Sequence, residues 1–104
     1  MVRRAARVDD NHAEIRETFR KSGFAVADTA GAGNGFPDLV VQCHHAEGAY
    51  GRLTLLIEVK DGSKALSRQA LTEAQKAFHA NFHVITINSI ESALDLITEI
   101  RRGP

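Results

Sequence analysis

Two runs of apolar residues, "DLVVQC" at 38–43 and "RLTLLIEVK" at 52–60, constrain the fold more than any other part of the chain. Each has the length and composition of a β-strand. The segment between them, "HHAEGAYG", contains two glycines and is typical of a hairpin connection. A turn centred on Gly48 places Asp38 directly opposite Glu58, with Cβ atoms roughly 5 Å apart. A slip of one residue would overturn this predicted register.

Charged side chains interrupt both runs. Asp38 opens the first run, directly behind Pro37, and Glu58 and Lys60 lie within the second. Because Glu58 and Lys60 are two residues apart, both point to one face of the strand, whereas the apolar residues alternating with them point to the other face. The predicted hairpin therefore brings two carboxylates and one ammonium group together at one end of a sheet.

This cluster has two interpretations. Two close carboxylates repel and raise each other's pKa, and a divalent cation removes that penalty. Oxygen ligands of this kind suit Mg²⁺ or Mn²⁺, which activate a water and neutralise charge during phosphoryl transfer, while a lysine orients that water or balances charge. The alternative is a solvated ionic cluster that contributes little to stability. We favour a functional site because the polar residues interrupt apolar runs at two places that one hairpin joins.

The rest of the chain predicts an α/β fold. Hydrophobic periodicity indicates helices at 9–22, 72–80 and 89–102 and further strands at 24–28 and 82–87, with a loop at 61–71. The order helix–strand–strand–strand–helix–strand–helix indicates a single domain over residues 1–104, with helices packed on a sheet. The predicted buried stripe of the last helix is Ile90, Leu94, Ile97 and Ile100.

Gln75 has two possible roles. Thr72 and Gln75 have the spacing of a capping box at the start of the helix 72–80. The same helix is predicted to bury a face through Leu71, Ala74 and Phe78, and Gln75 lies on or beside that face. Its amide therefore either completes the cap or lies over a metal-bound water or a phosphate.

The motifs "GFPDLVV", "LIEVKDG" and "LTEAQKAFH" together resemble those of a known nuclease family. They are similar to the PD-(D/E)XK nuclease superfamily, and more narrowly to its virus-type replication–repair nuclease (VRR-NUC) domain. The resemblance extends from the first helix to the fourth strand. It implies a restriction-endonuclease-like mixed sheet and a metal-dependent endonuclease.

The resemblance also implies a role for each matching residue. Asp38, Glu58 and the backbone carbonyl of Val59 would ligate the metal, while Lys60 and Gln75 would activate and support the attacking water. An acidic residue of the first helix would reach the metal through water, and Glu14 matches that position better than Glu17 does. The implied substrate is branched, Holliday-junction-like DNA, cut by a homodimer for which the apolar face of the last helix is a candidate interface.

Charge and composition add expectations about partners. Lys and Arg number 13 and so do Asp and Glu, so the formal net charge is zero, which argues mildly against a dedicated nucleic-acid binder. The expected phosphate contacts flank the site and are Arg3, Arg4, Arg7, Lys64 and Arg68. The phenylalanines suggest no base-stacking platform. The competing hypothesis is a non-catalytic DNA-binding or assembly module that keeps the nuclease fold.

Location is also an expectation from the sequence. No long apolar run or secretory signal is present, and Cys43 is the only cysteine, which fits a reducing compartment. We therefore expect a cytoplasmic protein of a bacterial or phage-infected cell, with no membrane partner.

Overall fold

A computed structural model describes residues 9–44 and 52–102 and has a mixed α/β architecture. Its helices and strands follow the predicted order and are α1 (His12–Lys21), β1 (Ala25–Asp28), β2 (Leu39–His44), β3 (Arg52–Val59), α2 (Leu66–Gln69), α3 (Glu73–Asn81), β4 (Val84–Ile87) and α4 (Ile90–Arg102). A 3₁₀ turn at Ala30–Ala32 and the four-residue helix α2 fall in segments for which the sequence predicts loops.

The four strands form one sheet in the order β1-β2-β3-β4. β1, β2 and β3 pair antiparallel, and β4 joins β3 in parallel. Leu39 pairs with Ile57 and Val41 with Leu55, which is the register that a turn centred on Gly48 predicts. The connection itself, residues 45–51, lies outside the described residues. The predicted hairpin register is confirmed.

One face of this sheet packs against α1 and α4. Ile15 and Phe19 of α1 are fully buried against the apolar side chains of β2 and β3, because they lie four residues apart on one side of the helix. Gly23 follows the helix with φ of 92°, the left-handed backbone that a helix end requires. The opposite face of the sheet carries the side chains that alternate with the core residues, which include Glu58.

The predicted buried stripe of α4 is partly wrong. Ala93 and Ile97 are the buried residues, whereas Ile90 is 39% exposed and Leu94 is 46% exposed. The buried face of α4 therefore runs through Ala93 and Ile97, with Leu96 packed beside it, and Ile90 and Leu94 lie outside that face. Ser89 caps the start of α4, because its hydroxyl accepts from the backbone N–H of Ser92 at 3.0 Å.

α3 covers the other face of the sheet only loosely. None of its residues is buried. Of the face predicted to be buried, Leu71 and Phe78 are half-buried and Ala74 is exposed, so that prediction is wrong for Ala74.

Within the described residues, no helix is long and apolar enough to cross a membrane.

Candidate active site

The register of the hairpin brings Asp38 and Glu58 together. Asp38 lies one residue before β2, and the continued register places it opposite Glu58 near the end of β3. Its Oδ2 accepts a hydrogen bond from the backbone N–H of Val59 at 2.8 Å. The Asp38 carbonyl accepts from the backbone N–H of Thr29 at 2.8 Å, which also ties the residue to the end of β1. Both the backbone and the side chain of Asp38 are thus held in place.

Glu58 is a buried carboxylate with incomplete hydrogen bonding. The residue is 1% exposed, and its Oε1 is a buried atom without a hydrogen-bond partner among the described residues. The Asp38 carboxyl lies beside Glu58 across the strand pair. Burial raises the pKa of Glu58 to about 8, and the neighbouring Asp38 carboxyl adds to the effect more than Lys60 opposes it. Either a proton or a cation must therefore lie between the two carboxylates.

Lys60 is held at this site by Gln75. Its Nζ donates to Gln75 Oε1 at 3.0 Å and lies 3.9 Å from Glu58 Oε2. Only 7% of Lys60 is exposed. Its backbone is fixed as well, since its N–H donates to the carbonyl of Ile87 and its carbonyl accepts from Asn11 Nδ2. The ammonium group is therefore positioned near the carboxylates without forming a close ion pair with either one.

Gln75 takes part in both of the arrangements that the sequence left open. The Gln75 Oε1 accepts from the backbone N–H of Thr72 at 2.9 Å, and the backbone N–H of Gln75 donates to the Thr72 hydroxyl at 3.1 Å. These two bonds complete the capping box. Its Nε2 also donates to Glu58 Oε2 at 2.9 Å. Gln75 thus links the start of α3 to both Glu58 and Lys60.

These groups open into one polar cleft of about 260 Å³. Asp38, Glu58, Lys60 and Gln75 lie at its walls, and the remaining lining residues are Asp9, Ser67, Ala70 and Thr72. Ser67 belongs to the short helix α2. The sequence did not predict this helix, because its four residues, LSRQ, are too few to show a hydrophobic period.

Glu14 does not lie in this cleft. It is exposed on α1 and lines a separate cleft together with Asp61 and Asn88. The acidic residue that the N-terminal segment contributes to the site is Asp9, whose negative charge further raises the pKa of Glu58. The sequence places Asp9 only at the start of the helix predicted at 9–22, because the turn that precedes α1 has no pattern that fixes its direction.

Asn11 explains why Asp9 reaches the site. Its Nδ2 donates to the carbonyl of Lys60 at 3.2 Å and to that of Asn88 at 3.3 Å. The start of α1 is therefore attached to the ends of β3 and β4. Asn11 precedes α1 in the capping position but makes no side-chain cap: its Nδ2 makes these two long-range bonds, and its Oδ1 is buried without a hydrogen-bond partner among the described residues.

The oxygen donors at the cleft fit a hard divalent cation. Glu58 Oε1 has no hydrogen-bond partner within residues 9–44 and 52–102, and Asp38 lies beside Glu58. Pro37 lies opposite Val59 in the register and has no N–H to donate, so the Val59 carbonyl loses its usual partner. No group of three or more His, Cys, Asp or Glu side chains suited to a metal exists within 9–44 and 52–102. Mg²⁺ does not need one, because it keeps several of its waters.

The basic residues expected to contact DNA are only partly described. Arg3, Arg4 and Arg7 lie outside the described residues, as does the side chain of Arg68. Lys64 Nζ is 2.8 Å from Asp10 Oδ2, and 37% of the side chain is exposed. Lys64 thus lies close to the segment that carries Asp9.

A second polar cluster, which the sequence did not indicate, joins α1 to β1. Asp28 Oδ2 accepts from His12 Nε2 at 3.0 Å and from Arg16 Nη1 at 2.8 Å, and Oδ1 accepts from the backbone N–H of Ala30. Partial burial opposes ionisation, but the hydrogen bonds from Arg16 and His12 outweigh it and lower the pKa of Asp28 to about 2. The cluster fastens α1 to the sheet and does not line the cleft.

Comparisons of the chain with models of protein families, with curated proteins and with solved structures found no match. The function therefore has to be inferred from the chemistry of the site.

Proposed function

We propose that the protein is a divalent-metal-dependent endonuclease that hydrolyses phosphodiester bonds in structured or branched, Holliday-junction-like DNA. The observation that carries the proposal is the buried Glu58 carboxylate, which lies beside Asp38 and whose Oε1 has no hydrogen-bond partner in the described part of the chain. A buried polar atom without a hydrogen bond is costly, and two adjacent carboxylates increase that cost. A cation held by both carboxylates removes the cost and gives the arrangement a use.

The chain's own residues supply the rest of the chemistry. Asp38, Glu58 and the Val59 carbonyl would hold the cation, and Asp9 would support it through water. When bound, Mg²⁺ or Mn²⁺ lowers the pKa of a ligated water and neutralises charge on the phosphate. The Lys60 ammonium, fixed by Gln75, orients the attacking water or stabilises the negative charge that develops on the phosphate.

The architecture supports this proposal at a coarser level. Three antiparallel strands with a parallel fourth, and helices on both faces, are compatible with the restriction-endonuclease-like fold to which we assign the chain. We further propose a homodimer, with Ile90 and Leu94 on α4 as part of the interface because both are large, apolar and exposed. The proposed location is the cytoplasm of a bacterial or phage-infected cell.

A cleavage assay tests the proposal. The purified protein is incubated with end-labelled duplex, flap and four-way-junction DNA in Mg²⁺, in Mn²⁺ and in EDTA. We expect cutting only with metal, and we expect Asp38→Ala and Lys60→Ala each to lower the rate by about 100-fold or more. The exposed carboxylate variant Glu99→Gln is the matched control.

Two outcomes would contradict the proposal. Cleavage that persists in EDTA, or that survives both Asp38→Ala and Lys60→Ala, would show that the site is not responsible. Binding of junction DNA without cutting under either metal would favour the non-catalytic module instead. Sedimentation of the same preparations, with and without Leu94→Ala, tests the proposed dimer.

A further inference from the structure

Three phenylalanines form an aromatic ladder beside the candidate active site. Phe36 meets Phe78 edge to face with ring centroids 5.4 Å apart, and Phe78 stacks on Phe82 at 4.5 Å with planes 25° apart. Phe36 is 38% exposed and Phe82 is 53% exposed. The sequence indicated no platform for base stacking, because the three rings come from two segments that only the fold brings together.

The ladder is attached to the segments that hold the site. Phe78 lies three residues after Gln75 on α3, which places it on the next turn, about 4.5 Å further along the helix axis. Phe36 lies two residues before Asp38. Between them, the backbone of Gly35 is so close to α3 that an added Cβ would collide with the carbonyl oxygen of Ala74. The ladder therefore has a fixed position relative to Asp38 and Gln75.

We propose that the ladder stacks an unpaired nucleobase next to the scissile phosphate. This inference rests on the proposed nuclease function and narrows its substrate to DNA with a single-stranded or branched segment at the cut. Aromatic side chains stack on any base, whereas the faces of bases inside an intact duplex are covered by their neighbours. Phe78 lies one helical turn from Gln75, so the ladder is placed for a base that adjoins a phosphate held near Gln75.

The position of the ladder favours nucleic acid over a second protein chain. Phe36 and Phe78 lie in the segments that carry Asp38 and Gln75, so a strand whose phosphate lies at the cleft passes beside the rings. Aromatic rings on which bases stack are typical of grooves that bind single strands.

Binding of a fluorescent flap substrate tests this inference separately from catalysis. 2-Aminopurine is placed at the first unpaired position of a flap, and a fully paired duplex of the same length serves as the comparison. Both DNAs are titrated with the parent protein and with Lys60→Ala in EDTA, so that cutting does not interfere. We expect the 2-aminopurine emission to change on binding, and we expect Phe82→Leu to weaken flap binding about tenfold while duplex binding changes less than about twofold.

The controls make every outcome decisive. Leu53→Ala removes an exposed apolar side chain at the end of β3 away from the cleft and is expected to leave the flap-to-duplex affinity ratio unchanged, and Phe36→Leu repeats the test from the other end of the ladder. Equal loss on both DNAs, or no loss, overturns the inference. Conversion of a dimer to a monomer by Phe82→Leu, with equal loss on both DNAs, would identify the ladder as an interface between copies. A protein that stacks the base but never cuts with metal refutes only the nuclease function, and cutting without a 2-aminopurine response refutes only the ladder.

Discussion

Glu58→Gln should make the metal-free protein more stable at neutral pH. Glu58 is 1% exposed, accepts from Gln75 Nε2 at 2.9 Å and faces the Asp38 carboxyl. A neutral glutamine has nearly the same shape and can keep both contacts, since its carbonyl accepts from Gln75 and its amide donates to Asp38. The substitution therefore removes the need to protonate a buried carboxyl on folding while preserving the packing.

The magnitude follows from the pKa of Glu58. Its folded-state value of about 8 lies above the ordinary value of 4.5, so between these limits the folded chain holds a proton that the unfolded chain has released. The contribution to stability is fully present below pH 4.5 and is lost as pH rises towards 8, at about 1.4 kcal/mol per pH unit. At pH 7 the parent protein has lost about 3 kcal/mol through this group, and Glu58→Gln recovers that amount.

Urea unfolding in EDTA measures this effect. The parent protein, Glu58→Gln and the exposed control Glu99→Gln are compared at about pH 5, 7 and 8.5. We expect the stability difference between Glu58→Gln and the parent to grow from below about 1 kcal/mol near pH 5 to about 3 kcal/mol near pH 7, while the control difference stays near zero. A difference that does not change with pH, or a less stable Glu58→Gln protein at pH 7, would refute the argument.

Three further predictions concern how the site is held together. Gln75→Ala and Thr72→Ala should each lower the free energy of unfolding by about 1 kcal/mol, because each removes the capping box. Gln75→Ala should lower the cleavage rate more than Thr72→Ala does. Gly35→Ala should destabilise the fold by more than about 2 kcal/mol in thermal unfolding, because its φ is 81° and its Cβ would collide with α3, whereas Gly23→Ala, with φ of 92° and open space around it, should cost about 1 kcal/mol. Asp28→Asn should remove about 1–2 kcal/mol of stability that the parent has above pH 4 and loses as pH falls towards 2, which acid titration in urea will show as a flatter profile below pH 4.

The sequence was most informative where two local patterns agreed. The position of Gly48 predicted the register that brings Asp38 to Glu58, and the alternation of apolar and charged residues in β3 predicted the face that Glu58 and Lys60 share. The capping-box spacing located Gln75 at the start of α3 in the same way. Both predictions concern residues that one hairpin or one helical turn brings together, so their contacts follow from the geometry of that element.

Long-range contacts account for what the sequence did not reveal. Asp9 lies at the cleft because Asn11 bonds to carbonyls 49 and 77 residues further along the chain, and no local pattern predicts those bonds. Which face of α4 is buried depends on the packing of Ala93 against the core. That packing leaves Leu94 exposed. The aromatic ladder likewise depends on the packing of a glycine-containing loop against α3.

Sulfur substitution at the cleavage site tests the central claim most directly, because it reports contact between metal and phosphate. One non-bridging oxygen of the mapped scissile phosphate in junction DNA is replaced by sulfur, and single-turnover cleavage is followed in Mg²⁺ and in Mn²⁺. Mg²⁺ prefers oxygen strongly, whereas Mn²⁺ accepts softer ligands. We predict slow cleavage of the sulfur substrate in Mg²⁺, recovery in Mn²⁺, and no cleavage by Asp38→Ala in either metal. Equal rates for the oxygen and sulfur substrates in Mg²⁺, or recovery by Asp38→Ala, would contradict a metal held at the Asp38–Glu58 site.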